Sequence, residues 1–238
     1  MLFVGLFVIG KQAFHFSGNG FHFGPGTRGE GPVVTETRPI TGFHAVNMQV
    51  SGDVEVSVSE TFLVEVQGQG NLLPLLKTEV KDGTLQIYFD QSVSYSEPLK
   101  VRISGPSFDG LAIGGSGSIR VLTPLASEKM ELDVAGSGDI YLLQGNLQSA
   151  SCAIAGSGTI HLGGTANDLK SDIAGSGDIK AKDLTVNNLD VEISGSGSVT
   201  ANVIQTLKAD IAGSGGVRYT GQPTVDADIS GSGSVKRM

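Results

Sequence analysis

The tripeptide Gly-Ser-Gly occurs seven times between residues 115 and 233 of this chain, always between short apolar runs. Successive copies begin 18 to 21 residues apart, a period typical of proteins built from stacked structural repeats. The copies begin at Gly115, Gly136, Gly156, Gly175, Gly195, Gly213 and Gly231. This repeat constrains the fold much more tightly than it constrains the function.

Each copy shows the side-chain alternation of a β-strand on both sides of the tripeptide. The position two residues before the first glycine is always Ile or Val, and so is the position four residues after it. β-Branched residues favour strands, and the intervening columns are mostly polar, which gives a side-chain period of two. Each repeat therefore predicts a strand, a tight corner, a second strand and a variable return loop.

Stacking allows such a short repeat to bury its apolar face. A coil of about 20 residues cannot bury its apolar face alone, whereas coils stacked about 4.8 Å apart can. Glycine suits the corners because it tolerates positive φ and the close approach of the neighbouring coil. The sequence therefore predicts an all-β fold, a single-stranded parallel β-helix (solenoid) of about seven coils preceded by an irregular β region with a cap. The predicted structural corners are Gly115, Gly117, Gly136, Gly138, Gly156, Gly158, Gly175, Gly177, Gly195, Gly197, Gly213, Gly215, Gly231 and Gly233.

Composition divides the chain into four segments. Residues 1–12 are an apolar, signal-like segment, and residues 13–38 are a linker rich in Gly, Phe and His. Residues 39–108 are predicted to form the first β coils and the cap, and residues 109–238 the repeats. We expect the last two segments, 39–238, to form one continuous domain.

Local patterns add detail to the segment before the repeats. Alternation predicts strands over residues 53–58, 63–67 and 85–89. The run from Asn71 to Lys77 predicts a short helix, with Asn71 as its N-cap and Pro74 in its first turn.

The first residues of the chain suggest export. Residues 1–10 are apolar but too short for an ordinary transmembrane helix, and they resemble the apolar core of an export signal without its basic segment. Lys11 stands where a lipoprotein would carry its lipidated cysteine, which excludes lipid attachment there. We expect an extracytoplasmic protein, in the periplasm, at the outer membrane or at the cell surface, whose N-terminus can associate with the membrane.

The repeat resembles a known family. The chain is similar to the putative autotransporter adhesin head domain, also called the GIN domain, over about residues 38–238. The resemblance rests on AGSGDI at 135–140, AGSGTI at 155–160, AGSGDI at 174–179, SGSGSV at 194–199, AGSGGV at 212–217 and the upstream PITGFHAV at 39–46. It implies a bacterial envelope or exported protein, and it brings no catalytic residues with it.

Charge and cysteine content exclude several classes of function. The formal net charge is −8, which argues against nucleic-acid binding and against adsorption to anionic lipid. Cys152 is the single cysteine of the chain, so an intramolecular disulfide is impossible. It stands in an inward-facing column, where we expect an inert, buried thiol.

One column of the repeat carries acids in four consecutive coils. The four residues lie three positions before the first glycine: Asp172, Glu192, Asp210 and Asp228. Stacked carboxylates repel one another, so this acidic ladder could collect divalent cations or cationic groups. The simpler interpretation, which we favour, is a solvated face that keeps the rod soluble. The ladder is the only candidate metal site, and the sequence predicts no catalytic residue and no cofactor.

Other motifs lack the neighbours that their chemistry requires. The corner serines have no histidine at a matching repeat position apart from His161, which argues against a nucleophile. His15 and His22, each between two phenylalanines, have no nearby acid or cysteine to complete a metal site.

Two functions remain open. The first is a non-enzymatic envelope module, adhesin-like or structural, that presents its repetitive surface to a glycan or a protein. The alternative is a carbohydrate-active β-helix enzyme, a polysaccharide lyase or hydrolase, which requires paired carboxylates in a groove. The last coil could also pair with another chain through its open strand edge, unless Lys236 and Arg237 block that contact.

Overall fold

The computed structural model describes residues 26–238, which contain strands and a single 3-10 turn at Leu73–Leu75. The first ten strands are β1 (Thr27–Arg28), β2 (Val33–Thr37), β3 (Ala45–Met48), β4 (Gly52–Val58), β5 (Leu63–Gln69), β6 (Leu76–Lys81), β7 (Thr84–Phe89), β8 (Val93–Ser94), β9 (Leu99–Gly105) and β10 (Gly110–Gly115). The remaining strands are β11 (Gly117–Val121), β12 (Leu125–Gly136), β13 (Asp139–Gly156), β14 (Thr159–Gly175), β15 (Asp178–Gly195), β16 (Ser198–Gly213), β17 (Gly216–Gly221), β18 (Thr224–Gly231) and β19 (Ser234–Arg237).

The repeats stack in register as parallel coils. Each coil pairs with the next so that equivalent residues are directly opposite, and Val134, Ile154, Ile173 and Ile193 form one continuous column. All four side chains are at most 3% exposed, and a second column of Ile and Val on the other side of the corner is equally buried. The predicted all-β parallel β-helix is confirmed, with about six turns.

The coils continue into the segment before the repeats. β10 pairs with β3 and β3 pairs with β7, which places Met48 between Ile113 and Ile87 in the same buried column. β11 pairs with β4 and β4 pairs with β9 in the same parallel sense. The sheet ends here in antiparallel pairings of β2 with β5, β5 with β9 and β6 with β7. β2 lies within the segment 13–38 that the sequence suggests is a linker, and its residues pair with β5 along their whole length.

The Gly-Ser-Gly corners show why both glycines are needed. Gly156 has a φ of 135°, a conformation that L side chains rarely adopt. At Gly158 the constraint is close approach, because an added Cβ would lie 2.2 Å from the carbonyl oxygen of Gly138 in the previous coil. The first glycine therefore turns the chain, and both glycines allow the coils to stack, since an added Cβ at Gly156 would also lie 2.3 Å from the oxygen of Gly136.

The predicted helix at residues 71–77 is wrong. The structure has a single 3-10 turn, Leu73–Leu75, with Leu72 at its N-cap and no side-chain capping bond. Asn71 instead holds the segment before β2, since its Oδ1 accepts from the N–H of Glu30 at 2.9 Å and its Nδ2 donates to the oxygen of Arg28 at 2.8 Å. The Asn71 side chain, which the sequence predicts as a local helix cap, therefore forms long-range hydrogen bonds instead.

The predictions for the two ends of the chain concern export at the N-terminus and self-association at the last coil. The signal-like residues 1–12 and both Phe-His-Phe triplets lie outside the described residues. No helix within residues 26–238 is long and apolar enough to cross a membrane. In the last coil Val225 and Ile229 are each 38% exposed, and self-association through this coil stays a prediction.

Candidate ligand-binding groove

A groove of about 520 Å³ runs along one side of the solenoid, and its walls come from five successive long strands. It lies beside an interruption of the backbone pairing at Asn167 and Asn187, while the residues on either side remain in register. The two asparagines are joined there by a side-chain bond, in which Nδ2 of Asn187 donates to Oδ1 of Asn167 at 3.0 Å. Two columns of polar side chains project beside this interruption, the outer one seven positions before each corner and the inner one five positions before it.

The outer column is joined by side-chain hydrogen bonds from coil to coil. Asn188 donates from Nδ2 to Oδ1 of Asp168 at 2.9 Å, and its Oδ1 accepts from the hydroxyl of Thr206 at 2.8 Å. Asp168 also accepts at Oδ2 from Nδ2 of Asn167, at 2.7 Å. These bonds fix the orientation of the Asn188 amide and leave one of its N–H groups unused.

Opposite charges alternate along the inner column. Lys170, Asp190 and Lys208 are direct neighbours in three successive coils. Lys170 Nζ lies 3.2 Å from Oδ2 of Asp172, and Lys208 Nζ lies 3.1 Å from Oδ2 of Asp210. The lysines of the groove wall are therefore balanced by Asp190 within the wall and by Asp172 and Asp210 next to it.

The floor of the groove between the two columns is apolar. It is formed by Ala150, Leu169 and Leu189, which are 4%, 2% and 2% exposed. These residues also belong to the core of the solenoid, so the groove is held on rigid structure rather than on a loop.

The acidic ladder predicted from sequence lies next to this groove. Asp172, Glu192, Asp210 and Asp228 are in register in four successive coils, as expected. Asp172 is only 8% exposed, whereas the other three are exposed. Within residues 26–238 no group of three or more His, Cys, Asp or Glu side chains is placed to hold a metal ion.

The same column contains a carboxyl with a perturbed pKa two coils earlier. Burial, together with the charges of Glu131 and Asp172, raises the pKa of Asp133 to about 7. Glu131 is itself 4% exposed and forms an ion pair with Lys129 at the end of the groove. Asp133 is not among the residues that line the groove.

A different face carries a stack of cationic and aromatic side chains. The guanidinium of Arg120 lies 4.7 Å from the ring centre of Tyr141, and that ring stacks on His161 with centroids 4.4 Å apart. Burial and the charge of Lys180 lower the pKa of His161. Because the rings stack on one another, their faces are already occupied, and this column offers no open aromatic platform.

The reactive residue types considered from sequence are Cys152 and the corner serines, and they have different surroundings in the structure. Cys152 is fully buried, and burial raises the pKa of its thiol well above its ordinary value. The corner serines are exposed, and from Ser137 onward their backbone N–H groups bond to the previous coil, as Ser157 does to the oxygen of Gly136 at 2.8 Å.

The sequence contains a signal for the groove that its analysis missed. Seven positions before the first glycine, six successive copies carry a polar residue, the last of them Thr224. The other five line the groove: Lys129, Ser149, Asp168, Asn188 and Thr206. The acidic column is more conspicuous because its residues share one charge, whereas this column shares only polarity.

The model of the family described as putative auto-transporter adhesin, head GIN domain, matches residues 42–223, most of the chain. The chain belongs to the GIN domain family. Solved structures with the same fold include a putative adhesin from Bacteroides fragilis, 24% identical with a TM-score of 0.82, which covers 90% of this GIN domain chain and 100% of its own. A putative lipid binding protein from Parabacteroides distasonis is 29% identical with a TM-score of 0.76, covering 89% of this chain and 98% of its own. A search of curated proteins gave no significant match.

Proposed function

We propose that this GIN domain is a non-enzymatic, adhesin-like module that acts outside the cytoplasm and holds an extended ligand in the groove beside Asn188. The observation that carries the proposal is the construction of the groove, in which five successive strands contribute equivalent positions along the solenoid axis. A site that repeats with the coil suits a ligand that is itself a repeating chain. The family description as an adhesin head supports the same function.

The groove lacks the features of a glycoside-cleaving site. Such sites pair a carboxylate with a carboxylic acid that stays protonated near neutral pH. Asp168 and Asp190 are the acids of the groove wall, and each carboxylate oxygen of Asp168 already accepts a hydrogen bond from an asparagine amide. The carboxyl with the raised pKa, Asp133, lies outside the wall. These observations favour binding over turnover.

A lipid is a less suitable ligand than a polar chain, although one solved relative is named as a putative lipid binding protein. An acyl chain needs an apolar cavity. The centre of this solenoid is filled by side chains such as Ile154 and Ile193, both 0% exposed, and the groove has polar walls.

The test uses the full-length chain expressed in a bacterial host. Cell fractionation shows whether the protein leaves the cytoplasm, and purified protein is tested for binding to immobilised glycans and extracellular proteins and for turnover of polysaccharides. We expect export, binding that is lost in Asn188→Leu, and no turnover. Cytoplasmic retention, or polysaccharide cleavage that is lost in Asp168→Asn, would overturn the proposal.

A further inference from the structure

We infer that the groove binds an uncharged, hydroxyl-rich glycan chain that lies parallel to the solenoid axis. The inference rests on the proposed function and names the class of ligand for the same site.

The balance of charge along the groove argues for an uncharged ligand. A polyanion running along the inner column would pass Asp190 between the two lysines, and a polycation would pass Lys170 and Lys208 on either side of the same acid. Each lysine is also paired with its own aspartate, Asp172 or Asp210. No single sign of charge is therefore favoured along this column, so long-range attraction selects neither polymer.

The outer column supplies the hydrogen bonds that hydroxyl groups require. After the bonds within the column are made, Asn188 retains one amide hydrogen and Asp168 retains acceptor lone pairs. Thr206 Oγ1, which donates to Asn188, retains its acceptor positions. Donors and acceptors thus stand side by side in adjacent coils and are already oriented, which suits neighbouring hydroxyls that both donate and accept.

The spacing of the coils and the composition of the lining fit a sugar chain better than a peptide. Coils stack about 4.8 Å apart, close to the length of one sugar unit in an extended glycan, and four such steps span about 19 Å. The groove lining contains no Trp, Tyr or Arg, the residues that dominate the binding energy of protein interfaces.

The experiment measures affinity against ligand length. A glycan array that contains neutral, acidic and basic glycans is followed by calorimetry with linear β-1,4-glucan and β-1,4-mannan oligosaccharides. We expect the better of the two series to gain affinity with each unit up to about four units and then to level off, because about four coil spacings fill the groove. Raising the salt concentration should leave the affinity unchanged within about twofold, since an uncharged ligand forms no ion pair with the groove that salt could screen.

The chain offers a closely matched control variant. Asn188→Leu removes an amide that donates to Asp168 and accepts from Thr206, and we expect at least about a tenfold loss of affinity. Asn202→Leu removes an amide with the same kind of partners outside the groove, donating to Thr185 and accepting from Thr220, and should bind as the unmodified chain does. Melting curves of both variants show whether each still folds, and Thr206→Val tests the same ladder with a smaller change.

Several results would overturn the inference. They are binding of charged glycans alone with loss at high salt, affinity that does not depend on length, or equal losses in both asparagine variants. Failure of the two proposals can also be told apart. If no glycan binds but an immobilised protein does, and Asn188→Leu abolishes that contact, the binding function stands and the ligand class is wrong. If Asn188→Leu changes no binding at all, the groove has neither role.

Discussion

Asn188 donates a hydrogen bond to Asp168 over 2.9 Å, although the two residues are 20 positions apart in the sequence. That separation is one turn of the solenoid, so the bond joins equivalent positions in adjacent coils. The parallel register of the stacked coils therefore aligns equivalent residues into columns on the surface as well as in the core. A substitution at one position consequently acts on its neighbours one turn earlier and one turn later.

The corners give the first prediction. Gly158→Ala should destabilise the fold by about 1–3 kcal/mol, because the new Cβ would lie 2.2 Å from the oxygen of Gly138 and 2.6 Å from Cγ1 of Val134. Urea denaturation measures the loss. Gly216→Ala is the control, since its nearest contact would be 3.4 Å away, at the oxygen of Ser234, and it should be tolerated. Equal stability of the two variants would show that the coils are not this close.

The buried columns of Ile and Val give the second prediction. Ile193→Ala removes a side chain that is 0% exposed in the middle of the stack, and it should cost about 2–5 kcal/mol. The same change at Ile204, which is 46% exposed, should cost less than about 0.5 kcal/mol. Thermal unfolding of both variants provides the comparison, and a small loss at Ile193 would mean that the column is not packed as described.

The third prediction concerns pH. The pKa of Asp133 is about 7 in the fold against 3.8 for a free side chain, so the native state binds more protons than the unfolded state between these values. Stability therefore falls as the pH rises through this range, by up to roughly 1.4 kcal/mol per pH unit. Asp133→Asn should be more stable than the unmodified chain at pH 8, and the difference should vanish near pH 4. A stability difference that does not change with pH would contradict this assignment.

The buried thiol of Cys152 gives the fourth prediction. Its side chain is 0% exposed, and burial raises the pKa of the thiol, so the reactive thiolate is scarce in the folded protein. A thiol reagent such as Ellman's reagent should react with the unfolded chain and leave the native protein unmodified over the same period. Rapid labelling of the native protein would place the side chain outside the core.

The sequence predicted the solenoid because residues at equivalent positions of the repeat can be aligned one by one. Ile154 and Ile173 are equivalent in alignment, and the structure makes them direct neighbours. The groove was not predicted, since it depends on where the ladder is interrupted, near Asn167 and Asn187. The sequence predicts variable return loops in this part of each repeat, and that prediction is wrong, because strands such as β14 (Thr159–Gly175) run without a break from one corner to the next. The helix predicted at residues 71–77 failed for a related reason, because the partners of Asn71 are about forty positions away.

Hydrogen–deuterium exchange with and without the binding oligosaccharide tests the central claim most directly. Equivalent positions in successive coils form one site, so ligand should protect short segments around residues 149–151, 168–170, 188–190 and 206–208, each about one coil apart. The segments that carry Tyr141 and His161, on the other face, should exchange at unchanged rates. Protection of the Tyr141 face, or of one continuous stretch of sequence, would contradict the account.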